Sequence, residues 1–149
     1  MSYEPRKAAQ LIAYLILKAG TPALNVLKAI KLVYLVDRES IRRFGFPVLD
    51  ERRCSMPHGP VNSTTYEYVS GMYDTDSCGW SEFLKDREDH KIALSRSDIG
   101  ADDLDELSEA DLECADAVWN DFGYMDQWQL RDWTHDPRNI PEWEDPHGG

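Results

Sequence analysis

Positive charge, cysteine and long apolar runs are all scarce in this chain of 149 residues. No stretch of twenty apolar residues is available to span a bilayer, and the N-terminus lacks the layout of a secretory leader, so a cytoplasmic protein without membrane association is expected. Cys54, Cys78 and Cys114 are odd in number and widely spaced, which fits reduced thiols rather than a disulfide framework or a clustered zinc site. The nine glycines are scattered, so no phosphate-cradling loop can be assembled from neighbours. Nor is there a C-x-x-C, an H-E-x-x-H or a G-x-S-x-G. Cys54 and His58 lie four apart, but no third ligand is local to them, and Cys54 reads as a buried apolar residue. Carboxylate pairs such as Asp102-Asp103 and Asp105-Glu106 sit in a polar run with nothing apolar to raise a pKa. The expectation is a protein that is not an enzyme, with no catalytic residue, no bound metal and no cofactor.

The chain holds 16 Lys/Arg against 28 Asp/Glu, a net charge of −12, and the imbalance is uneven. Residues 1–60 carry 10 basic and 5 acidic side chains, a balance of +5; residues 61–149 carry 6 and 23, a balance of −17. Such a surface repels nucleic acid and attracts a basic protein, although solubility alone is an equally good reason for it.

The hydrophobic pattern is helical. Thr21 to Gly45 reads as one long helix, with Thr21 as its cap, Pro22 in the first turn and Gly45 as a left-handed stop. Leu27, Ile30, Tyr34, Ile41 and Phe44 share one face, while Leu32, Val33, Leu35 and Val36 make the middle apolar nearly all round, so partners are needed on several sides. A first helix over residues 5–18 precedes it across Gly20-Thr21-Pro22, a connection short enough for an antiparallel hairpin.

Residues 61–72 spell a third helix after the turn Met56-Pro57-His58-Gly59-Pro60, with Val61, Tyr68, Val69 and Met72 available for burial. Residues 51–56 read as a short strand or an irregular segment, and Lys91 to Ser95 alternates and is expected to pair with the chain near Cys54. Ser108-Glu-Ala-Asp111 reads as a capping box opening a helix to Phe122 that buries Leu112, Ala115, Val118, Trp119 and Phe122. A last helix over residues 126–135 carries Trp128, Leu130 and Trp133 and is stopped by Pro137.

Asp37 continues the apolar stripe of the central helix. A carboxylate there needs an arginine or a turn of backbone amides, which makes it an anchor rather than a catalyst. The segments His58-Gly59-Pro60-Val61 and Trp133-Thr134-His135 fit two readings equally: a packed turn and a helix C-terminus, or a recognition surface of Trp and His beside an acidic rim.

Three pieces together resemble the Panacea domain of SocA-like antitoxins. They are Lys28-Ala-Ile-Lys-Leu-Val-Tyr34 with its continuation to Phe44-Gly45, His58-Gly59-Pro60-Val61 before a helix containing Tyr66, and Leu130-Arg-Asp-Trp-Thr134-His135 followed by Trp143. Their order and spacing match over about residues 5–143. Pro57 stands where relatives usually have an aromatic residue, and Trp133 where they usually have Ser or Glu.

The resemblance implies a mainly α fold, a single compact helical domain over residues 1–149 with a short two-stranded β element and a tail from about residue 144 expected to be flexible. It implies an antitoxin that neutralises its cognate toxin by direct binding, with delivery of the toxin to a protease as a variant of that role. The toxin is expected to be basic or directed at nucleic acid or nucleotides, and no direct contact with nucleic acid is expected of this chain. The residues assigned to the partner are His58, Pro60, Tyr66, Trp133, Thr134, His135 and Trp143. The alternative is an acidic nucleic-acid mimic that inhibits a DNA- or RNA-binding protein, in a phage or anti-defence setting.

Overall fold

The computed structural model describes residues 3–49, 53–56 and 59–141. Among the described residues, five α-helices and two small antiparallel sheets enclose one continuous apolar cluster that runs from Ala8 to Ile140. Helix α1 (Pro5–Ala19) starts on the proline, whose missing N–H costs nothing there, and ends on Gly20 at φ 70°. Its alanines Ala8, Ala9 and Ala13 let neighbours approach closely, and Leu11, Ile12, Leu15 and Ile16 fill the space between them. Buried Gln10 donates to Asp105 at 2.7 Å and accepts from the Glu106 amide at 2.9 Å, while Arg6 reaches Glu82, Asp105 and Glu106 at 2.8 Å each. Those carboxylates hold the Arg6 guanidinium well above its ordinary pKa, and they clamp the long 71–108 connection to α1.

The central helix begins later than its sequence pattern suggests. Ala23–Asn25 is a strand, β1, and α2 runs Val26–Phe44. Asn25 caps it, its side chain accepting from the Lys28 amide at 3.1 Å, while Thr21 donates to the Ala23 carbonyl instead. The reason is non-local. β1 pairs with β4 (Lys91–Ala93) in the register Ala23↔Ala93, Leu24↔Ile92, Asn25↔Lys91, and this pairing draws three residues out of the helix. The connection from α1 is therefore a turn and a strand rather than a tight hairpin. The C-terminal stop is as expected, with Gly45 at φ 85° donating to Ile41 at 2.9 Å.

Helix α2 is buried over Leu32–Asp37 on all sides, against α4, α5 and the second sheet. Ile41 and Phe44, expected on the buried stripe, are exposed, because α2 outruns its neighbours after Ser40. The second sheet pairs β2 (Arg53–Met56) with β3 (Gly59–Asn62), Cys54 lying opposite Val61. The expected pairing of Cys54 with the Lys91 segment does not form. A local hairpin closes a much shorter loop, and β4 already has β1 as its partner. Helix α3 (Ser63–Val69) is shorter than its pattern because β3 takes its first residues; Met72, expected inside, is 66% exposed. Trp80, Phe83 and Leu84, from the long connection after α3, join the main core.

Helices α4 (Glu109–Phe122) and α5 (Gln127–His135) match the sequence reading within a residue. Each opens on a reciprocal capping box, Ser108 with Asp111 and Asp126 with Gln129. Between them Gly123 packs on Trp119, where a Cβ would lie 2.6 Å from the indole, so only glycine fits.

Candidate protein-binding surface

The buried middle of α2 is the base on which the quoted motifs meet. Asp37 accepts from the amides of Val48 and Leu49 at 2.9 and 3.0 Å through one oxygen and from Asn62 Nδ2 at 2.6 Å through the other. It is thus the amide-bound anchor its position demanded, and it ties α2 to β3. Lys31 is fully buried on the same helix, and desolvation pulls its ammonium down to about 7. Lys28 donates to the Gly123 carbonyl at 2.7 Å and lies 5.2 Å from the Trp119 ring, which closes the end of α4 over the start of α2.

β3 and α5 both pack on α2 and on each other, so the strand that carries Gly59-Pro60 and the helix that ends in Thr134-His135 are neighbouring elements. Pro60 lies in β3 opposite Ser55. Thr134 is fully buried; its hydroxyl donates to the Leu130 carbonyl at 2.8 Å, one turn back in α5, rather than facing outward. Trp133 is half-buried, edge-on to Phe122 with centroids 4.6 Å apart, and His135 is half-buried in the last turn. Beyond α5 the chain folds back: Asn139 donates to the Trp133 carbonyl at 3.1 Å, its own carbonyl accepts from Arg38 at 2.8 Å, and Ile140 is buried. His58 and Trp143, together with residues 51 and 144–149, lie outside the described residues.

Tyr66 is the assigned residue whose placement is most informative. It is 36% exposed and lines a groove of about 460 Å³ between α3, the start of α2 and the start of α5. Val26, Leu27 and Ile30 form the apolar floor, Trp128 stands on the α5 side, 51% exposed, and Arg87 and His90 come from the turn that leads into β4. Trp128, Arg87 and His90 were not assigned to a partner from the sequence. For Trp128 a signal was present: Leu130, Trp133 and Thr134 mark the inner stripe of α5, and Trp128 falls off it with Arg131, whose guanidinium lies 5.1 Å from the indole centroid. For Arg87 and His90 there was none, because only the β1–β4 pairing brings that turn to α2.

Among the described residues no group of three or more His, Cys, Asp or Glu side chains is placed to hold a metal ion, and no helix is long and apolar enough to cross a membrane. What the groove offers is aromatic area from Tyr66 and Trp128 and hydrogen-bond donors from Arg87 and Gln127. The family model for the antitoxin SocA-like Panacea domain matches residues 30–144, which include most of α2, both strands of the second sheet, α3, β4, α4 and α5. Comparison with curated proteins and with solved structures finds no match.

Proposed function

The chain belongs to the antitoxin SocA-like family built on the Panacea domain, and from that premise we propose that it neutralises a cognate toxin by binding it directly, without catalysis. The family match over residues 30–144 carries this reading. The packing of β3 against α5 supports it, since the elements that carry parts of two of the three motifs lie side by side. Trp133, His135, Tyr66, His58, Pro60 and Trp143 are the residues we assign to the toxin-binding surface, while Thr134 is buried on the inner side of α5. The acidic balance of residues 61–149 favours a partner that is basic over much of its surface, such as a toxin acting on nucleic acid or nucleotides. Delivery of the bound toxin to a protease is the variant of the role in which the toxin disappears rather than persists in a complex.

Growth rescue tests the proposal. The product of the adjacent gene, expressed alone, should arrest growth; co-expression with this chain should restore it, and the two proteins should co-purify. Rescue with loss of the toxin would identify the protease route. A harmless neighbour that does not bind would sink the encoded-pair reading.

The same charge distribution favours one second reading, mimicry of nucleic acid by the acidic face around Asp102, Asp103 and Asp105, all exposed. A mimic would displace DNA or RNA from the protein it inhibits, and competition by an unlabelled duplex would weaken the complex. An antitoxin that does not cover a nucleic-acid site would be indifferent to it.

A further inference from the structure

The groove beside Tyr66 has a chemistry opposite to that of the rest of the molecule. In a chain of net charge −12, no carboxylate among the described residues lines it; its basic members are Arg87 and His90. The contrast extends to pairing. Arg6, Arg42, Arg43, Arg96, Arg131 and Arg138 each hold a carboxylate, and Arg38 holds a backbone carbonyl. Among the described residues Arg87 holds neither, and its neighbour is His90, with Nη2 3.4 Å from Nδ1.

The backbone of the wall that carries Arg87 and His90 is held by hydrogen bonds. Glu88 and Lys91 exchange two backbone hydrogen bonds of 2.9 Å around Asp89 and His90, at φ 52° and 62°, a two-residue turn whose left-handed positions usually go to Asn and Gly. His90 is accepted there although its side chain disfavours the conformation, and its carbonyl takes the Val26 amide at 2.8 Å, which locks the turn onto α2. Facing it, Trp128 stands in the first turn of a well-capped helix. The backbone around the groove thus needs little ordering when something enters it, which lowers the entropic cost of binding.

We propose that this groove seats the toxin: it takes an apolar side chain of the toxin between Tyr66 and Trp128, over Val26 and Ile30, with a carboxylate next to that side chain paired to Arg87. The inference rests on the antitoxin reading and names the part of the toxin recognised, a short apolar segment bearing an acidic residue. It complements a toxin that is basic elsewhere, because the acid-rich surface outside the groove steers the approach while the cationic groove fixes the register. A second copy of this chain is a poor occupant, since it would bring another net charge of −12.

The test uses the full chain with the adjacent toxin. Wild-type rescue is scored first, and then Arg87→Glu and the double variant Tyr66→Ala/Trp128→Ala are titrated with the toxin, each checked by circular dichroism for an unchanged fold. Arg87→Glu and the double variant are each expected to weaken toxin binding by about thirtyfold or more, the scale of a truncated hot spot. Ile41→Ser, on the far end of α2, is expected to leave affinity within about twofold. With p-benzoylphenylalanine in place of Tyr66, illumination of the complex should cross-link the toxin. Failure of the wild type to rescue overturns the antitoxin reading and the toxin as occupant. Rescue and affinity retained in both groove variants overturn the groove alone, as does a cross-link to a second copy or only within the chain.

Discussion

Asp37 and Asn62 are joined by a buried hydrogen bond of 2.6 Å between the centre of α2 and the last residue of β3, and the second oxygen of Asp37 takes the amides of Val48 and Leu49. One carboxylate therefore positions the turn after α2 and the strand that leads into α3. Asp37→Ala should strand three buried donors and lower stability by about 3 kcal/mol or more in urea unfolding. Asp37→Asn keeps an acceptor for the amides and should cost less. Equal losses in the two variants would show that bulk, not hydrogen bonding, is what Asp37 supplies.

Lys31 makes stability depend on pH. Its folded pKa of about 7 lies below the ordinary 10.5, so between those values the unfolded chain binds the extra proton. Stability should therefore rise as pH increases from about 7 toward 10, and the benefit should be lost as pH falls back through that window. Urea midpoints across this range should show the slope, and Lys31→Met should flatten it. A Met variant with the wild-type slope would assign the dependence to another group.

The start of α2 is testable by its cap. Asn25→Ala removes the acceptor for the Lys28 amide and should cost about 1 kcal/mol, whereas Thr21→Ala should cost roughly 0.5 kcal/mol or less. The opposite order in thermal unfolding would restore Thr21 as the helix cap.

The Trp-Thr-His segment should separate into packing and contact. Thr134→Val removes only a buried hydroxyl and should cost about 1 kcal/mol while leaving toxin affinity nearly unchanged. Trp133→Ala breaks the edge-on contact with Phe122 and should lower both stability and affinity. His135→Ala should lower affinity. Loss of affinity in Thr134→Val would place that hydroxyl in the interface itself.

How much could be read in advance follows from the range of each interaction. Helices α1, α4 and α5 were legible, because their caps and apolar stripes are signals within a few residues, Ser108 with Asp111 and Gly20 after Ala19 among them. The anchoring of Asp37 was legible too, since a carboxylate on an apolar stripe has few physical solutions. The strand at Ala23–Asn25 was not. Thr21 and Pro22 are good helix starters, and nothing local announces a partner near residue 92. The exposure of Ile41 and Phe44 was equally invisible, because periodicity tells which residues share a face and not where the neighbouring elements stop.

By itself, then, the amino-acid sequence determined the helical class, the limits of three helices, the uneven charge and the motifs that carry the family resemblance, all of them properties of residues near one another along the chain. Tertiary structure alone decided which strands pair, that Thr134 faces inward, and that Arg87 and His90 meet Tyr66 and Trp128 across an apolar floor. Those depend on loop closure over tens of residues, where a pairing wins only against every other pairing the chain could make, and that competition is not written in any single segment.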